Sequence, residues 1–191
     1  MIPLGILAAA GGAVAAAGSY DLLATEILTS AQSSVTFASL GTYAADYQHL
    51  QIRMSSRDTK SDTSANFLLR INGVTTSSYA HHRLYANGGD PLSSYASTST
   101  SAIIAGVTAS ANAPSNEFGT TVIDVLDFAS TSKTTTTRSL SGVLAGNTYV
   151  VLGSGLYNST DAVASVTILG EHSNSFVTGS RFSLYGIRKA A

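Results

Sequence analysis

Apolar and polar residues alternate along most of the chain after residue 30, with the period of two that is typical of strands. The clearest example is the segment 47–57, YQHLQIRMSSR, in which Leu50, Ile52 and Met54 share one face and Tyr47 lies with the polar residues on the other. This pattern predicts a strand that buries one side against a core and leaves the other side toward solvent.

The same alternation predicts about ten strands, separated by turns rich in Gly, Asn, Asp and Pro. The segment 92–114 is dominated by Ser, Thr and Ala, with 103–107 as its only apolar stretch, and it is predicted to be a long, partly strand-forming connection. Short strands without a convincing interior helix predict an all-β fold, a single antiparallel β-sandwich that is jelly-roll-like. In addition to 103–107, the predicted strands are 34–37, 47–57, 66–71, 79–85, 120–128, 133–140, 148–152, 163–169 and 176–187.

The first 18 residues form an apolar, Ala/Gly-rich segment without a charged side chain. A secretory signal requires basic residues before its apolar stretch, and none is present here. Because Ala15 to Ala17 fit a cleavage site, a signal peptide is kept as the alternative. The stretch is short for a membrane span and poor in Leu and Ile. We therefore predict that residues 1–30 form an attachment and oligomerisation segment that packs against other protein chains, and that residues 31–191 form the sandwich domain. The apolar side chains predicted to make the attachment are Ile2, Leu4, Ile6, Leu7 and Val14.

Composition favours a protein that packs among neighbours. Charged residues make up 11% of the chain, against roughly 25% in a typical soluble domain, and the net charge is −1. A surface built from hydroxyl groups repels neighbouring copies only weakly. No basic stripe supports binding of nucleic acid. The absence of cysteine excludes disulfides, thiolate nucleophiles and Cys-based zinc sites.

The acidic pair with the closest spacing in a predicted strand is Asp124 and Asp127. Residues three apart on a strand point to opposite faces, so these two carboxylates cannot act as an acid/base pair. We expect instead a salt bridge at the sheet edge, with Lys133 or Arg138 across the predicted hairpin.

The dipeptide His81–His82 is the strongest candidate for metal binding, but adjacent strand residues also point to opposite faces. One histidine is therefore predicted to face inward and the other outward, without a shared metal ion. The sequence predicts no catalytic residue, no metal site and no cofactor, and hence no enzyme.

Three tyrosines, Tyr79, Tyr85 and Tyr95, flank or enter predicted loops. An aromatic ring with a polar tip can stack on a sugar or on a neighbouring subunit, so these residues are the candidates for surface contacts. The alternative is that each ring covers the rim of the core.

Four segments resemble, in the same order, a family of tailed-bacteriophage virion structural proteins described as tail-fibre or minor tail proteins. The resemblance extends over about residues 24–188, and the start of the chain, MIPLGIL, is similar to the virion-attachment ends of such proteins. It implies a β-sandwich displayed on a virion, as a homotrimer, and it brings no catalytic residues. The segments are YQHLQIR (47–53), LRING (69–73), NEFGTTVIDVLD (116–127) and GSRFSLYGIR (179–188).

The expected function is that of a non-enzymatic virion structural protein of the tail, baseplate or neck, fibre-like or adhesin-like. Its expected partners are other virion proteins, further copies of itself and a host cell-surface glycan, the last at the loops 58–64 and 85–101. Nucleic acid and a membrane span are not expected. The alternatives are a capsid decoration (cement) protein and a carbohydrate-binding module or carbohydrate-active enzyme.

Overall fold

The computed structural model of the chain describes residues 19–189. Within them the chain is almost entirely β-structure, as the alternation predicts, with two short 3-10 helices at Leu40–Tyr43 and Glu171–Ser173. The predicted attachment residues Ile2, Leu4, Ile6, Leu7 and Val14 lie outside the described residues. No helix between residues 19 and 189 has the length and apolar character needed to cross a bilayer.

Twelve strands, β1 to β12, follow one another within the described residues. They are Tyr20–Ile27 (β1), Ser34–Phe37 (β2), Tyr47–Ser56 (β3), Ser64–Ile71 (β4), Tyr79–Asn87 (β5), Ser93–Thr100 (β6), Ile103–Ala109 (β7), Gly119–Leu126 (β8), Thr135–Ala145 (β9), Asn147–Tyr157 (β10), Val166–Gly170 (β11) and Arg181–Arg188 (β12).

The strands form two antiparallel sheets. The large sheet has the order β1-β12-β3-β8-β9-β10-β5-β6, and the small sheet has the order β2-β11-β4-β7. The units β1-β12-β3-β8 and β2-β11-β4-β7 face each other. The chain passes from one sheet to the other at every connection except β5 to β6, β8 to β9 and β9 to β10. This arrangement is a jelly roll and confirms the predicted sandwich.

Two hairpins extend the large sheet beyond the eight jelly-roll strands. One hairpin, β5 and β6, is inserted between β4 and β7, and the other, β9 and β10, follows β8. Strands β9 and β10 pack against β7, the edge strand of the small sheet. The large sheet therefore continues past the edge of the small sheet. The inner face of this extension is not completely covered by the jelly-roll strands.

The core lies between the two sheets and consists of alternate residues from each strand. In β3, Leu50, Ile52 and Met54 are all buried, as predicted. Phe176 and Phe182 meet edge to face in this core, with ring centroids 5.0 Å apart. A smaller apolar cluster under the β9–β10 extension contains Val107, Ala109, Ala113, Val143 and Val151.

Tyr47 belongs to the core, which corrects its predicted place on the polar face of β3. The register between β3 and β12 shifts by one residue at the end of the pairing. Ile187 pairs with His49, but the next residue, Arg188, pairs with Tyr47, so β3 contains one extra residue at this point. The extra residue of this bulge changes the side on which Tyr47 lies. Its hydroxyl donates a hydrogen bond to Asp21 Oδ2 at 3.0 Å.

The predicted domain boundary after residue 30 lies too far along the chain. Strand β1 pairs with β12 along its whole length, and Leu28 is buried in the main core. The sandwich therefore includes the segment from Tyr20 onward. The ambiguous period of residues 22–28 hid this strand, since β1 is an edge strand without a fully buried position.

The predicted long connection 92–114 contains two strands, β6 and β7. Strand β7 is nearly all buried, whereas β6 is mostly exposed and pairs only with β5. Its sequence, SSYASTST, has no apolar alternation, so backbone pairing rather than side-chain burial holds it in the sheet.

Candidate functional site

Tyr79 is a core residue, so the prediction that it makes surface contacts is wrong. Its side chain is buried and its ring stacks on Tyr157, with centroids 5.2 Å apart. The hydroxyl accepts a hydrogen bond from Ile71 N at 3.0 Å and lies 2.9 Å from Ile71 O, to which it donates. A buried tyrosine needs such partners for its polar end.

Tyr85 and Tyr95 lie in strands rather than in loops, on the inner face of the extended large sheet. Tyr85 is half-buried in β5 and packs against the smaller apolar cluster, while Tyr95 is exposed in the edge strand β6. Tyr95 pairs with Arg83 of β5. The two rings therefore lie on either side of one arginine.

A groove of about 260 Å³ opens between this inner face and the small sheet. We call it the β5 groove. One wall is formed by β5 and β10, the other by β4 and the loop before it, and Val107 of β7 also contributes. Its lining residues are Lys60, Asp62, Ser64, Ala65, Asn66, Arg83, Tyr85, Val107, Tyr149 and Val151.

Arg83 is the central cation of the β5 groove. Its Cζ lies 5.1 Å from the centroid of the Tyr85 ring and 5.3 Å from that of the Tyr95 ring. Nη1 donates a hydrogen bond of 2.7 Å to Asn66 Oδ1, and Asn66 Nδ2 donates in turn to Glu171 Oε2 at 3.1 Å. These contacts fix the plane of the guanidinium group.

His81 and His82 face opposite sides of β5, as predicted. His81 is buried, its ring lies 5.8 Å from that of Tyr95, and neither of its ring nitrogens has a hydrogen-bond partner among the described residues. His82 is exposed on the outer face. Burial, with a further contribution from the charge of Arg83, lowers the pKa of His81.

This lowered pKa predicts a pH-dependent loss of stability. The unfolded chain binds a proton at His81 more readily than the folded protein does, so the contribution of neutral His81 is complete above the ordinary histidine pKa of about 6.5 and is lost as pH falls through the lowered pKa. We expect urea denaturation at pH 8 and pH 5 to show a smaller pH dependence for His81→Phe than for the unsubstituted protein. The exposed neighbour provides the control, His82→Phe, which should keep the full dependence. Equal pH dependence in all three proteins would contradict this role of His81.

Both acids of the predicted hairpin form ion pairs with the expected partners, although at interior strands of the large sheet and the turn that joins them rather than at the sheet edge. Asp124 Oδ2 accepts a hydrogen bond from Arg138 Nε at 2.6 Å, and Asp127 pairs with Lys133. The hydrogen bond from Lys133 lowers the pKa of Asp127. Within residues 19–189, no three His, Asp or Glu side chains converge in a way that could hold a metal ion.

The outer face of the large sheet carries a row of exposed aliphatic side chains. Val122 of β8 pairs with Leu140 of β9, Leu140 with Leu152 of β10, and Leu152 with Leu84 of β5. Their exposed fractions run from 37% for Val122 to 56% for Leu140. Val150, 54% exposed, lies two residues before Leu152 on the same face. We call these five residues the outer apolar stripe.

Sequence reasoning missed the outer apolar stripe, although a signal was present. The run Val150-Val151-Leu152 places apolar side chains on both faces of one strand. Val151 is buried on the inner face, while its two neighbours are exposed on the outer face. Consecutive apolar residues in a strand indicate that both faces are covered, and here only the inner face is covered by the described residues.

Comparison of the chain with known protein families, with curated proteins and with solved structures gives no match.

Proposed function

We propose that this protein is a non-enzymatic structural component of a bacteriophage virion, located in the tail, baseplate or neck. In this proposal, copies of the chain assemble through the outer apolar stripe, with a homotrimer as the expected state. The N-terminal segment attaches the assembly to other virion proteins, and the far side of the sandwich contacts the host surface.

The observation that carries the proposal is the outer apolar stripe. Four strands contribute one large aliphatic side chain each to the same row, so the apolar surface is continuous rather than scattered. Single exposed aliphatic residues are ordinary, whereas a continuous apolar patch is typical of an interface with another protein. The main core lies on the other side of the sheet and does not need these residues.

Two further features support the phage setting. The sequence resembles virion structural proteins over most of the sandwich, and a jelly roll is a fold that viral particles use repeatedly. The low content of charged residues, 11%, also suits a molecule that is surrounded by copies of itself.

The direct test is to measure the protein in purified virions that carry its gene. Quantitative mass spectrometry should find it in a few copies or tens of copies per particle, and a labelled image should place it at the tail. Hundreds of copies on the head would favour the capsid decoration protein instead. Absence from the particles would refute both assignments.

Deleting residues 1–18 is expected to abolish incorporation into virions while leaving the sandwich folded. The deletion ends before β1, which begins at Tyr20, so it removes no described strand. Circular dichroism should show an unchanged β spectrum, and mass spectrometry of particles should show loss of the protein. A full-length variant with Ile2, Leu4, Ile6 and Leu7 replaced by Ser separates the apolar character of the segment from its length. Normal incorporation of both variants would contradict the attachment role.

A further inference from the structure

We propose that the β5 groove binds a sugar unit that carries a carboxylate, such as a uronic acid residue within a glycan. This inference names the ligand class for the surface contact in the proposed function, and it rests on that function only for its biological setting. The observations behind it are the state of Arg83, the aromatic rings around it and the size of the groove.

Arg83 is a fixed cation whose hydrogen-bonding capacity is incompletely used. Among the described residues it forms no salt bridge, and its one side-chain hydrogen bond comes from Nη1 to Asn66 Oδ1. Nη2 therefore remains able to donate, together with the second hydrogen of Nη1. The two parallel N–H groups of a guanidinium edge match the two oxygens of a carboxylate.

The contacts within the groove fix the position of the Arg83 guanidinium group before a ligand binds. Tyr85 and Tyr95 lie within cation–π distance of it, and the chain from Glu171 through Asn66 fixes Nη1. An arginine that is already ordered loses less side-chain entropy when it binds an anion. The charged residues of the lining are two cations, Lys60 and Arg83, and one acid, Asp62, which leaves a net charge of +1.

The aromatic rings select a sugar over a bare anion. Tyr149 also lines the groove, and none of the hydroxyls of Tyr85, Tyr95 and Tyr149 has a hydrogen-bond partner among the described residues, in contrast to Tyr79. A sugar ring presents an apolar face to an aromatic ring and hydroxyl groups to such phenols. Inorganic phosphate would use the cation alone.

The strand pairing around the groove favours a sugar over an extended peptide, the other obvious class of ligand. The groove volume of about 260 Å³ suits one sugar ring with its substituents. An extended peptide commonly binds by adding a strand to a free sheet edge. Strand β5 offers no such edge, because β10 and β6 pair with it on both sides.

The test measures binding of matched probes to the full-length protein by isothermal titration calorimetry. The first probe is an oligosaccharide of alternating glucuronic acid and N-acetylglucosamine, and the second is the same oligosaccharide with its carboxylates reduced to alcohols. An acidic hexapeptide and inorganic phosphate are the further probes. We expect the acidic oligosaccharide to bind at least about tenfold more tightly than the reduced form, as loss of a bidentate charge pair implies.

The variants distinguish binding in the β5 groove from nonspecific attraction of the acidic probe to a surface arginine. Arg83→Met should remove the preference for the acidic oligosaccharide, and Arg83→Lys should restore only part of it, because an ammonium group lacks the planar fork. The matched control is Arg53→Met, since Arg53 also lies between two tyrosines, 5.4 Å from the Tyr20 centroid and 4.4 Å from the Tyr185 centroid, but on the outer face. Circular dichroism checks that each variant is folded.

Four outcomes would overturn the inference. They are equal binding of the acidic and reduced oligosaccharides, an equal effect of Arg53→Met and Arg83→Met, binding of neither oligosaccharide, and tighter binding of the peptide or of phosphate. Sedimentation of the same samples keeps the two proposals apart. An intact oligomer without sugar binding refutes only the ligand, while a monomer that binds the sugar refutes only assembly through the outer apolar stripe.

Discussion

Replacing Leu140 by Glu is expected to convert the assembled protein into monomers. Leu140 is at the middle of the outer apolar stripe, paired with Val122 on one side and Leu152 on the other. It is 56% exposed, so the substitution removes little from the core of the single chain. In an assembled state the new carboxylate would be buried in an apolar interface at a cost of several kcal/mol. We expect the dissociation constant to rise at least about 100-fold, equivalent to about 2.8 kcal/mol.

Sedimentation velocity over a range of concentrations measures this effect. The matched control is Thr36→Glu, which adds the same charge to the exposed face of the small sheet, where Thr36 meets Thr167 at 2.9 Å. This control should assemble as the unsubstituted protein does, and both variants should keep the same thermal stability as monomers. Assembly of Leu140→Glu with unchanged affinity would show that the stripe is not the interface.

The strands that bury one regular face could be predicted from the sequence. Strand β3 extends over Tyr47–Ser56, close to the predicted range 47–57. The prediction was possible because Leu50, Ile52 and Met54 occupy alternate positions and all lie in the core. Strand β6 could not be predicted in the same way. Its positions are mostly exposed, and its backbone pairing with β5 holds it in the sheet.

The positions of the sites depend on pairings that a local pattern does not contain. Asn66 and Arg83 belong to different sheets, and they meet because the extension of the large sheet passes the edge of the small one. Tyr79 and Tyr85 are six residues apart in one strand and face the same side, yet one is in the core and the other lines the groove. The spacing in the sequence indicates that the two tyrosines share a face. Whether each ring is buried depends on where the small sheet ends.

Arg57 connects the sandwich to the loop that precedes β8, and its hydrogen bonds indicate a large role in stability. Its Nη1 donates to Pro114 O at 2.8 Å and Glu117 O at 3.1 Å, and its Nη2 donates to Ala111 O at 3.1 Å and Ala113 O at 2.9 Å. One guanidinium group thus satisfies four backbone carbonyls of a segment that has no strand of its own. Hydrogen bonds to a charged donor are stronger than neutral ones.

Arg57→Met is therefore expected to lower the free energy of unfolding by about 3 kcal/mol, since the methionine keeps much of the side-chain packing but none of the donors. Urea denaturation measures the loss, and Arg181→Met is the control, because Arg181 is exposed and forms no side-chain hydrogen bond or salt bridge with the described residues. The control should stay within about 0.5 kcal/mol of the unsubstituted protein. The loop 58–63 begins beside Arg57 and supplies Lys60 and Asp62 to the β5 groove. Hydrogen exchange should consequently be faster in residues 58–63 and 111–117 of Arg57→Met, and a loss of stability without faster exchange in 111–117 would contradict the proposed clamp.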